Sequence, residues 1–460
     1  MTKILCPALI MAAPASGQGK TTITAGLAAM LRRNGKVVRV FKVGPDYLDP
    51  QILKQASGQP VEPLDLWMAG ENYCQQKLYD AAQVADIILI EGAMGIFDGS
   101  PSSADLAARF DIPLALVMDV KGMAQTAGAI ALGLANYRDD FVVAGLIANN
   151  CGSDRHAQLI RDALLEKPDQ HQEMPLLATL KRDDAIKLPE RHLGLVQALE
   201  ITAELEQRLS AAADWIEDSP LKNILETAQK VEFSPPIKQA SLPKGLAGKT
   251  IAIAKDVAFS FIYDANIRLL ESMGATCRYF SPLTDAAMPE ADALWLPGGY
   301  PELHTQKLSA NESMRRSIQD FYGQGKPVLA ECGGFLYCLD HLSDLDEKRH
   351  TMLGLMPGFA QMRPRGGCQG MQTAPLPEGD VRGHSHHRSL SHDTPQAIAH
   401  GVRPKHPAPG EAIYRRNGLT ASYLHLFFPS NPNAICGLFN PSSVKSKAAQ
   451  AKQQVSLDVV

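Results

Sequence analysis

Ala8-Leu9-Ile10-Met11-Ala12-Ala13-Pro14-Ala15-Ser16-Gly17-Gln18-Gly19-Lys20-Thr21-Thr22 is the stretch that decides the fold. An apolar run of strand length, Ala8 to Ala12, ends in a glycine-bearing turn, and helical spacing follows from Thr22 to Leu31. Gly17 and Gly19 let the backbone bend so that several N–H groups face a phosphate. Lys20 brings positive charge to the terminal phosphates, and the Thr21 hydroxyl can reach a magnesium ion. The positive end of the following helix points at the same anion. Pro14 stands where the usual pattern has a glycine. Gly-x-Gly-Lys-Thr-Thr after an apolar strand is still a phosphate-loop signature; the bland alternative is an ordinary glycine-rich turn.

Working outward, further apolar runs occur at Val38 to Val43, Asp86 to Glu91, Leu114 to Val120 and Val142 to Asn149. Helical spacing separates them. This alternation predicts an α/β fold with a parallel sheet covered by helices on both faces. Ligands of such sheets bind at the carboxyl ends of strands. The first residues imitate a signal peptide: Lys3 precedes an apolar run, and Ala13-Pro14-Ala15 resembles a cleavage site. We reject that reading, because cleavage there would destroy the phosphate loop and a buried parallel strand has the same composition. Glu200 to Lys230 reads as one or two amphipathic helices, and Phe233 to Gly245 as a linker. A second strand pattern begins at Thr250-Ile251-Ala252-Ile253-Ala254 and continues at Ala293 to Leu296 and Pro327 to Glu331. The expected organisation is a phosphate-loop domain over 1–232, a linker over 233–248, a second α/β domain over 249–440 and a mobile tail over 441–460.

A chain of 460 residues suits two or three domains. Its 45% hydrophobic and 20% charged residues suit a globular protein, with no apolar stretch long enough to span a bilayer. The net charge of -4 makes no electrostatic case for a nucleic acid or an anionic membrane as partner. Eight scattered cysteines without a CxxC pair argue against a disulfide or zinc framework and for a reducing, cytoplasmic setting.

Three acidic positions follow apolar runs: Asp46 in Phe41-Lys42-Val43-Gly44-Pro45-Asp46-Tyr47-Leu48-Asp49-Pro50, Glu91 in Glu91-Gly92-Ala93-Met94-Gly95-Ile96-Phe97-Asp98-Gly99, and Asp119. Hard carboxylate oxygens suit magnesium beside phosphate. Glycines and Pro45 keep the backbone open around Asp46 and Glu91, which favours function there; for Asp119, helix capping and function stand level.

A second reactive loop lies far downstream, at Val328-Leu329-Ala330-Glu331-Cys332-Gly333-Gly334. Small residues beside a nucleophile permit a strained strand-to-helix elbow that exposes a thiol. The helix N-terminus and a nearby histidine would activate it. Leu296-Pro297-Gly298-Gly299-Tyr300-Pro301-Glu302 follows another strand, and the N–H groups of Gly298, Gly299 and Gly333 are candidates for an oxyanion hole. His425 is the preferred base, because a strand end can hold it rigidly near the elbow. His384, His386, His387 and His392 are the alternatives, in a cluster read as a polar loop rather than a metal site. One loop that handles ATP and another that attacks an amide together imply nitrogen transfer from glutamine to a carboxylic acid.

These motifs resemble those of the cobyrinic acid a,c-diamide synthase family, also called hydrogenobyrinic acid a,c-diamide synthase, from about Ile4 to Asn433. The 41–50 motif is the most specific element. Glu91 to Gly99, Ser103-Ala104-Asp105-Leu106-Ala107, Pro189 to Leu195, Ala254 to Phe261, Leu296 to Glu302 and the Cys332 elbow support it. The resemblance implies a dethiobiotin-synthetase-like ATP domain joined to a class I glutamine amidotransferase domain. It implies ATP held by Gly17, Gly19, Lys20, Thr21 and Thr22, with Asn149 reading the base. Asp46 and Glu91 would act with Thr21 around magnesium. Lys42, Tyr47, Leu48, Asp49 and Asp98 would line the site of a corrinoid tetrapyrrole, whose a and c acetates are amidated with L-glutamine as donor. Cys332 would be the nucleophile and His425 its base. Ammonia would need shielding between sites, which calls for domain contact and is compatible with a homodimer.

Two departures stand out. The family usually carries Gly-His-Glu-Phe-His where this chain has Gly383-His384-Ser385-His386-His387. Phe427 stands two residues after His425, where many class I amidotransferases place an acid, so a Cys-His dyad is expected. Two other readings remain open at this point: amidation of another tetrapyrrole such as nickel sirohydrochlorin, or a partitioning-type ATPase switch with a degenerate second domain.

Overall fold

A computed structural model describes residues 2–165, 174–188, 190–191, 194–195, 197, 200–236, 242–363 and 367–442. The chain divides into two compact units, Met1–Gln239 and Ala240–Val460. Part of the expected linker, part of the Pro189 to Leu195 motif and nearly all of the expected tail lie outside the described residues.

The first unit is built on strands β1 (Ile4–Ala12), β2 (Val38–Val43), β3 (Glu62–Leu64), β4 (Ile87–Glu91), β5 (Leu114–Asp119), β6 (Val143–Asn149) and β7 (Leu176–Thr179). Their order is β3-β2-β4-β1-β5-β6-β7, with every pairing parallel. Every residue of β4 is buried, as expected of a strand covered on both faces. The intervening helices are α1 (Lys20–Arg33), α2 (Asp49–Ser57), α3 (Glu71–Ala82), α4 (Ser103–Phe110), α5 (Gln125–Ala135) and α6 (Asp154–Leu165). After β7 come the short pair β8 (Glu190–Arg191) and β9 (Gly194–Leu195), then α7 (Thr202–Glu217), α8 (Ile224–Thr227) and β10 (Lys230–Phe233). Gly26 of α1 faces α7 so closely that a Cβ there would lie 3.0 Å from the Ala212 carbonyl oxygen.

Two expectations change here. The first strand starts at Ile4 rather than Ala8, because Ile4 to Pro7 pair antiparallel with β10. The helical reading of Glu200 to Lys230 stops early. Ser219 accepts the Leu221 N–H and Pro220 opens a 3-10 turn, while Lys230 already belongs to a strand whose side chains alternate between solvent and core.

The second unit carries β11 (Thr250–Ala254), α9 (Asp264–Ser272), β12 (Thr276–Phe280), β13 (Ala293–Leu296), α10 (Thr305–Ala310), α11 (Glu312–Gly323), β14 (Val328–Glu331) and α12 (Gly333–Cys338). Short strands follow: β15 (His341–Ser343), β16 (Arg349–Thr351), β17 (Phe359–Met362), β18 (Gly370–Leu376), β19 (Gly379–Ser385), β20 (Ser389–His392) and β21 (Ala399–His400). The unit ends with β22 (Ala412–Arg416), β23 (Leu419–Ser422), β24 (His425–Leu426) and α13 (Pro432–Phe439). The main sheet runs β12-β11-β13-β14-β23-β22-β21, and β18-β19-β24 form a smaller one. Trp295 is wholly buried and its ring lies 4.7 Å from that of Phe428. Among the described residues no helix is long and apolar enough to cross a membrane.

Candidate active site

In the first unit, Gly17 and Gly19 take φ of 76° and 94°, the left-handed region that glycine enters without strain. Gly19 ends the turn, and α1 begins at Lys20. The Lys20 ammonium donates to the carbonyls of Ala15 at 3.1 Å and Met94 at 2.8 Å. Burial, and then Lys42, push it down to about 8. Thr21 donates its hydroxyl to Glu91 at 2.7 Å, and Thr22 follows half-buried on the same turn.

Lys42 is buried among carboxylates: Asp49 at 2.6 Å, Glu91 at 2.9 Å and Asp46 at 3.8 Å. Asp49, Glu91 and Asp46 together outweigh burial and hold its ammonium well above the usual lysine range. Asp46 is engaged locally as well. One of its oxygens accepts the N–H groups of Leu48 and Asp49 and so starts α2. Leu48 is buried and Tyr47 half-buried, while the exposed Asp98 accepts the Gly95 N–H at 2.9 Å. Asn149 donates to the Gln18 carbonyl at 3.0 Å, and its oxygen accepts the Asn150 N–H at 2.9 Å. The nitrogen end of that amide braces the phosphate loop. Asp119 accepts the Lys121 N–H and the Asn150 side chain, shaping the turn after β5 rather than capping α5.

A divalent cation fits the corner between Thr21 and Glu91. Glu91 Oε2 is buried without a hydrogen-bond partner, and an orphaned carboxylate oxygen beside a hydroxyl is a hard donor pair. Among the described residues no group of three or more His, Cys, Asp or Glu surrounds a metal position. The protein would therefore supply only part of a coordination shell, as suits magnesium completed by phosphates and water.

In the second unit, Cys332 lies between β14 and α12 at φ 45° and ψ -104°. Its N–H donates to the Ser422 carbonyl at 2.8 Å, which ties the elbow to β23. The glycines are dictated by contact. A Cβ on Gly334 would lie 2.0 Å from the Leu296 carbonyl oxygen, and one on Gly333 would lie 2.9 Å from the Gly299 nitrogen. A Cβ on Gly298 would lie 2.2 Å from His425 Cε1 and 3.4 Å from Cys332 Cβ. The candidate nucleophile, base and three oxyanion glycines are thus brought together.

Burial, and then His384, hold the His425 imidazole well below its ordinary range. Burial, and then Glu302 and Glu411, push the Cys332 thiol up. Both shifts favour the uncharged forms of the pair.

The expected polar loop holds only part of the histidine cluster: residues 386–388 connect two strands, whereas His384 and His392 lie on strands. His384 and Ser385 end β19, and the His384 ring lies 5.1 Å from that of His425 and nearly parallel to it. Burial pushes His384 down to about 3. His387 Nε2 meets Glu411 at 2.9 Å, and its ring stacks on Tyr423 at 3.8 Å. Ser385, where the resembled family has a glutamate, bonds to Gln372 and the Cys368 carbonyl. The acidic partner, Glu411, comes from the residue just before β22, which spacing alone does not reveal.

Sequence reasoning left three residues of this site without a role. Glu331, buried directly before the nucleophile, is pushed by burial to about 8. A carboxylate inside an apolar strand run was the available signal. Glu302 is buried near Cys332 and pushed by burial to about 7, in a motif recognised only for its glycines. Asn266, on α9, carried no signal.

Residues 9–196 match the CobQ/CobB/MinD/ParA nucleotide binding domain, and residues 250–433 match the CobB/CobQ-like glutamine amidotransferase domain. The chain is 49% identical over 441 residues to the hydrogenobyrinate a,c-diamide synthase of Stutzerimonas stutzeri, covering 96% of this chain and 100% of that protein. It is 48% identical over 442 residues to the enzyme of the same name from Pseudomonas aeruginosa, covering 96% and 99%. It is 44% identical over 434 residues to the cobyrinate a,c-diamide synthase of Herminiimonas arsenicoxydans, covering 94% and 96%.

Proposed function

The chain belongs to the cobyrinate (hydrogenobyrinate) a,c-diamide synthase family, and from that premise we propose how its residues perform the reaction. It is an ATP- and glutamine-dependent ligase that converts the a and c acetates of a corrinoid acid to amides.

Cys332 attacks the side-chain amide of glutamine. His425 accepts the thiol proton and delivers it to the departing nitrogen, so that ammonia leaves and a thioester remains. Water then hydrolyses the thioester to glutamate. The N–H groups of Gly298, Gly299 and Gly333 would receive the oxyanion. In the other unit, a carboxylate oxygen of the corrinoid attacks the terminal phosphorus of ATP, giving ADP and an acyl phosphate. Ammonia displaces phosphate from this mixed anhydride, and the cycle repeats on the second acetate.

Lys20 and the phosphate-loop N–H groups hold the triphosphate, and Asn149 braces that loop. Magnesium, held by Thr21 and Glu91 with Asp46 nearby, would neutralise charge on the phosphates. Lys42, Tyr47, Leu48, Asp49 and Asp98 are proposed to line the tetrapyrrole site, with Tyr47 and Leu48 orienting the substrate. The free state of all eight cysteines supports residence in a reducing cytoplasm.

The observation that carries this reading is the joint placement of Cys332 and His425 against Gly298. A switch ATPase with a degenerate second domain would not need that pair. The test is incubation with ATP, magnesium and either glutamine or ammonium, using the cobalt-containing or the metal-free acid, with amides counted by mass spectrometry. Cys332→Ala is expected to lose glutamine use and keep ammonia use, whereas Lys20→Ala loses both. Glutamine use by Cys332→Ala would refute the nucleophile.

A further inference from the structure

His425 stands on β24, a two-residue strand at the edge of its sheet. β24 pairs with β19 through His384↔His425 and Gly383↔Leu426, and the Phe427 N–H donates to the Arg382 carbonyl at 2.8 Å. Peptide groups alternate in direction along a strand, so those of Leu426 point away from β19. A buried N–H or C=O left without a partner is costly. Two buried side chains meet these groups. Glu331 Oε1 accepts the Leu426 N–H at 2.8 Å, and Asn266 Nδ2 donates to the Leu426 carbonyl at 2.9 Å. Asn266 Oδ1 also accepts the Phe428 N–H at 2.9 Å.

Glu331 reaches further. Its other oxygen accepts the Trp295 indole N–H at 2.9 Å, and Trp295 lies on β13, which leads into the Gly298-Gly299 loop. One carboxylate therefore ties together the strand that ends in the thiol, the strand that leads to the oxyanion glycines and the strand that carries the base. A buried carboxyl group meeting neutral donors is a poor way to stabilise a core, and an apolar side chain of its size would avoid the desolvation cost.

We propose that Glu331 and Asn266 are positioning residues that clamp the Leu426 peptide and thereby hold His425 against Cys332. In triads, an acid bonded to the imidazole does the orienting. Here the grip is on the base's own backbone. The inference rests on the assignment of Cys332 and His425 as nucleophile and base.

The experiment uses the full chain with Glu331→Leu, Asn266→Ala and the pair Glu331→Gln with Trp295→Phe. The pair keeps an acceptor for Leu426 while removing the indole donor that would face the new amide. Glutamine hydrolysis (kcat and KM), ammonia-dependent synthesis and the pH profile of Cys332 alkylation are measured. Glu331→Leu is expected to lower the glutaminase kcat about 10²-fold, the scale of a 1 Å misplacement, with KM held and ammonia-dependent synthesis intact. Its alkylation profile shifts, and the paired variant recovers most of the kcat. Three results overturn the proposal: an unchanged kcat, a raised KM alone, or a paired variant as slow as Glu331→Leu. Should Glu331→Leu fail to fold, Asn266→Ala decides, because its kcat must fall while ammonia use persists. Cys332→Ala run in parallel separates the two claims: if it still hydrolyses glutamine, the nucleophile is wrong and not merely the clamp.

Discussion

Alanine at position 298 puts the glutaminase geometry to a direct test. Gly298 is not among the glycines with positive φ, so its backbone accepts a side chain without strain. The added methyl would lie 2.2 Å from His425 Cε1 and 2.9 Å from Nδ1. Ordinary contact begins near 3.4 Å, so the ring must withdraw by about 1.2 Å. Its retreat is hindered by the His384 and Phe261 rings, whose centroids lie 5.1 Å and 6.0 Å from its own. A misplacement of that size costs about 10²-fold in rate, or about 2.7 kcal/mol of barrier. The assay is steady-state glutamine hydrolysis beside diamide synthesis from ammonium salts. The glutamine-dependent rate is expected to collapse, and the ammonia-dependent rate to stay. If Gly298→Ala hydrolyses glutamine at nearly the parental rate, the contact between this glycine, the imidazole and the thiol does not govern catalysis.

Two other outcomes follow from local chemistry. Burial raises Glu302 from an ordinary value of 4.5 to about 7. The folded state therefore holds its proton more tightly, and stability is lost as pH rises through that window. Glu302→Gln escapes the penalty and is expected to be more stable than the parent at pH 8 by up to about 3 kcal/mol, with the gap closing toward pH 5. Urea unfolding at both pH values checks this, and a pH-independent gap would contradict it. Ser102 accepts the Asp105 N–H, and Asp105 returns a bond to the Ser102 N–H, boxing the start of α4. Ser102→Ala is expected to cost about 1 kcal/mol, read as a lower urea midpoint for the first unit, and an unmoved midpoint would count against the box.

Much of this was legible in the sequence because the signals were local. The run Ala8 to Thr22 carries strand, turn and helix start in consecutive residues, and a parallel core strand such as β4 announces itself by unbroken apolarity. Gly298, Gly299, Gly333 and Gly334 were readable because close backbone approach demands glycine. What escaped depends on distant pairings. β10 joins β1 across more than two hundred residues, so nothing near Lys230 marks it as a strand. His384 gives no hint of lying beside His425 until β19 and β24 pair. Lys42 read as one polar residue of a motif, yet three carboxylates surround it. Glu331 carried a visible signal, a charge within a core strand, whose meaning needed Leu426 and Trp295 in place.

The backbone angles of Cys332 have a consequence beyond catalysis. A non-glycine residue at φ 45° and ψ -104° is held in a sparsely populated conformation, which costs about 1–3 kcal/mol. Glycine would relax that strain, but it would also forfeit the packing of a buried thiol and free the unfolded chain, so the elbow's strain is offset by what the side chain fills.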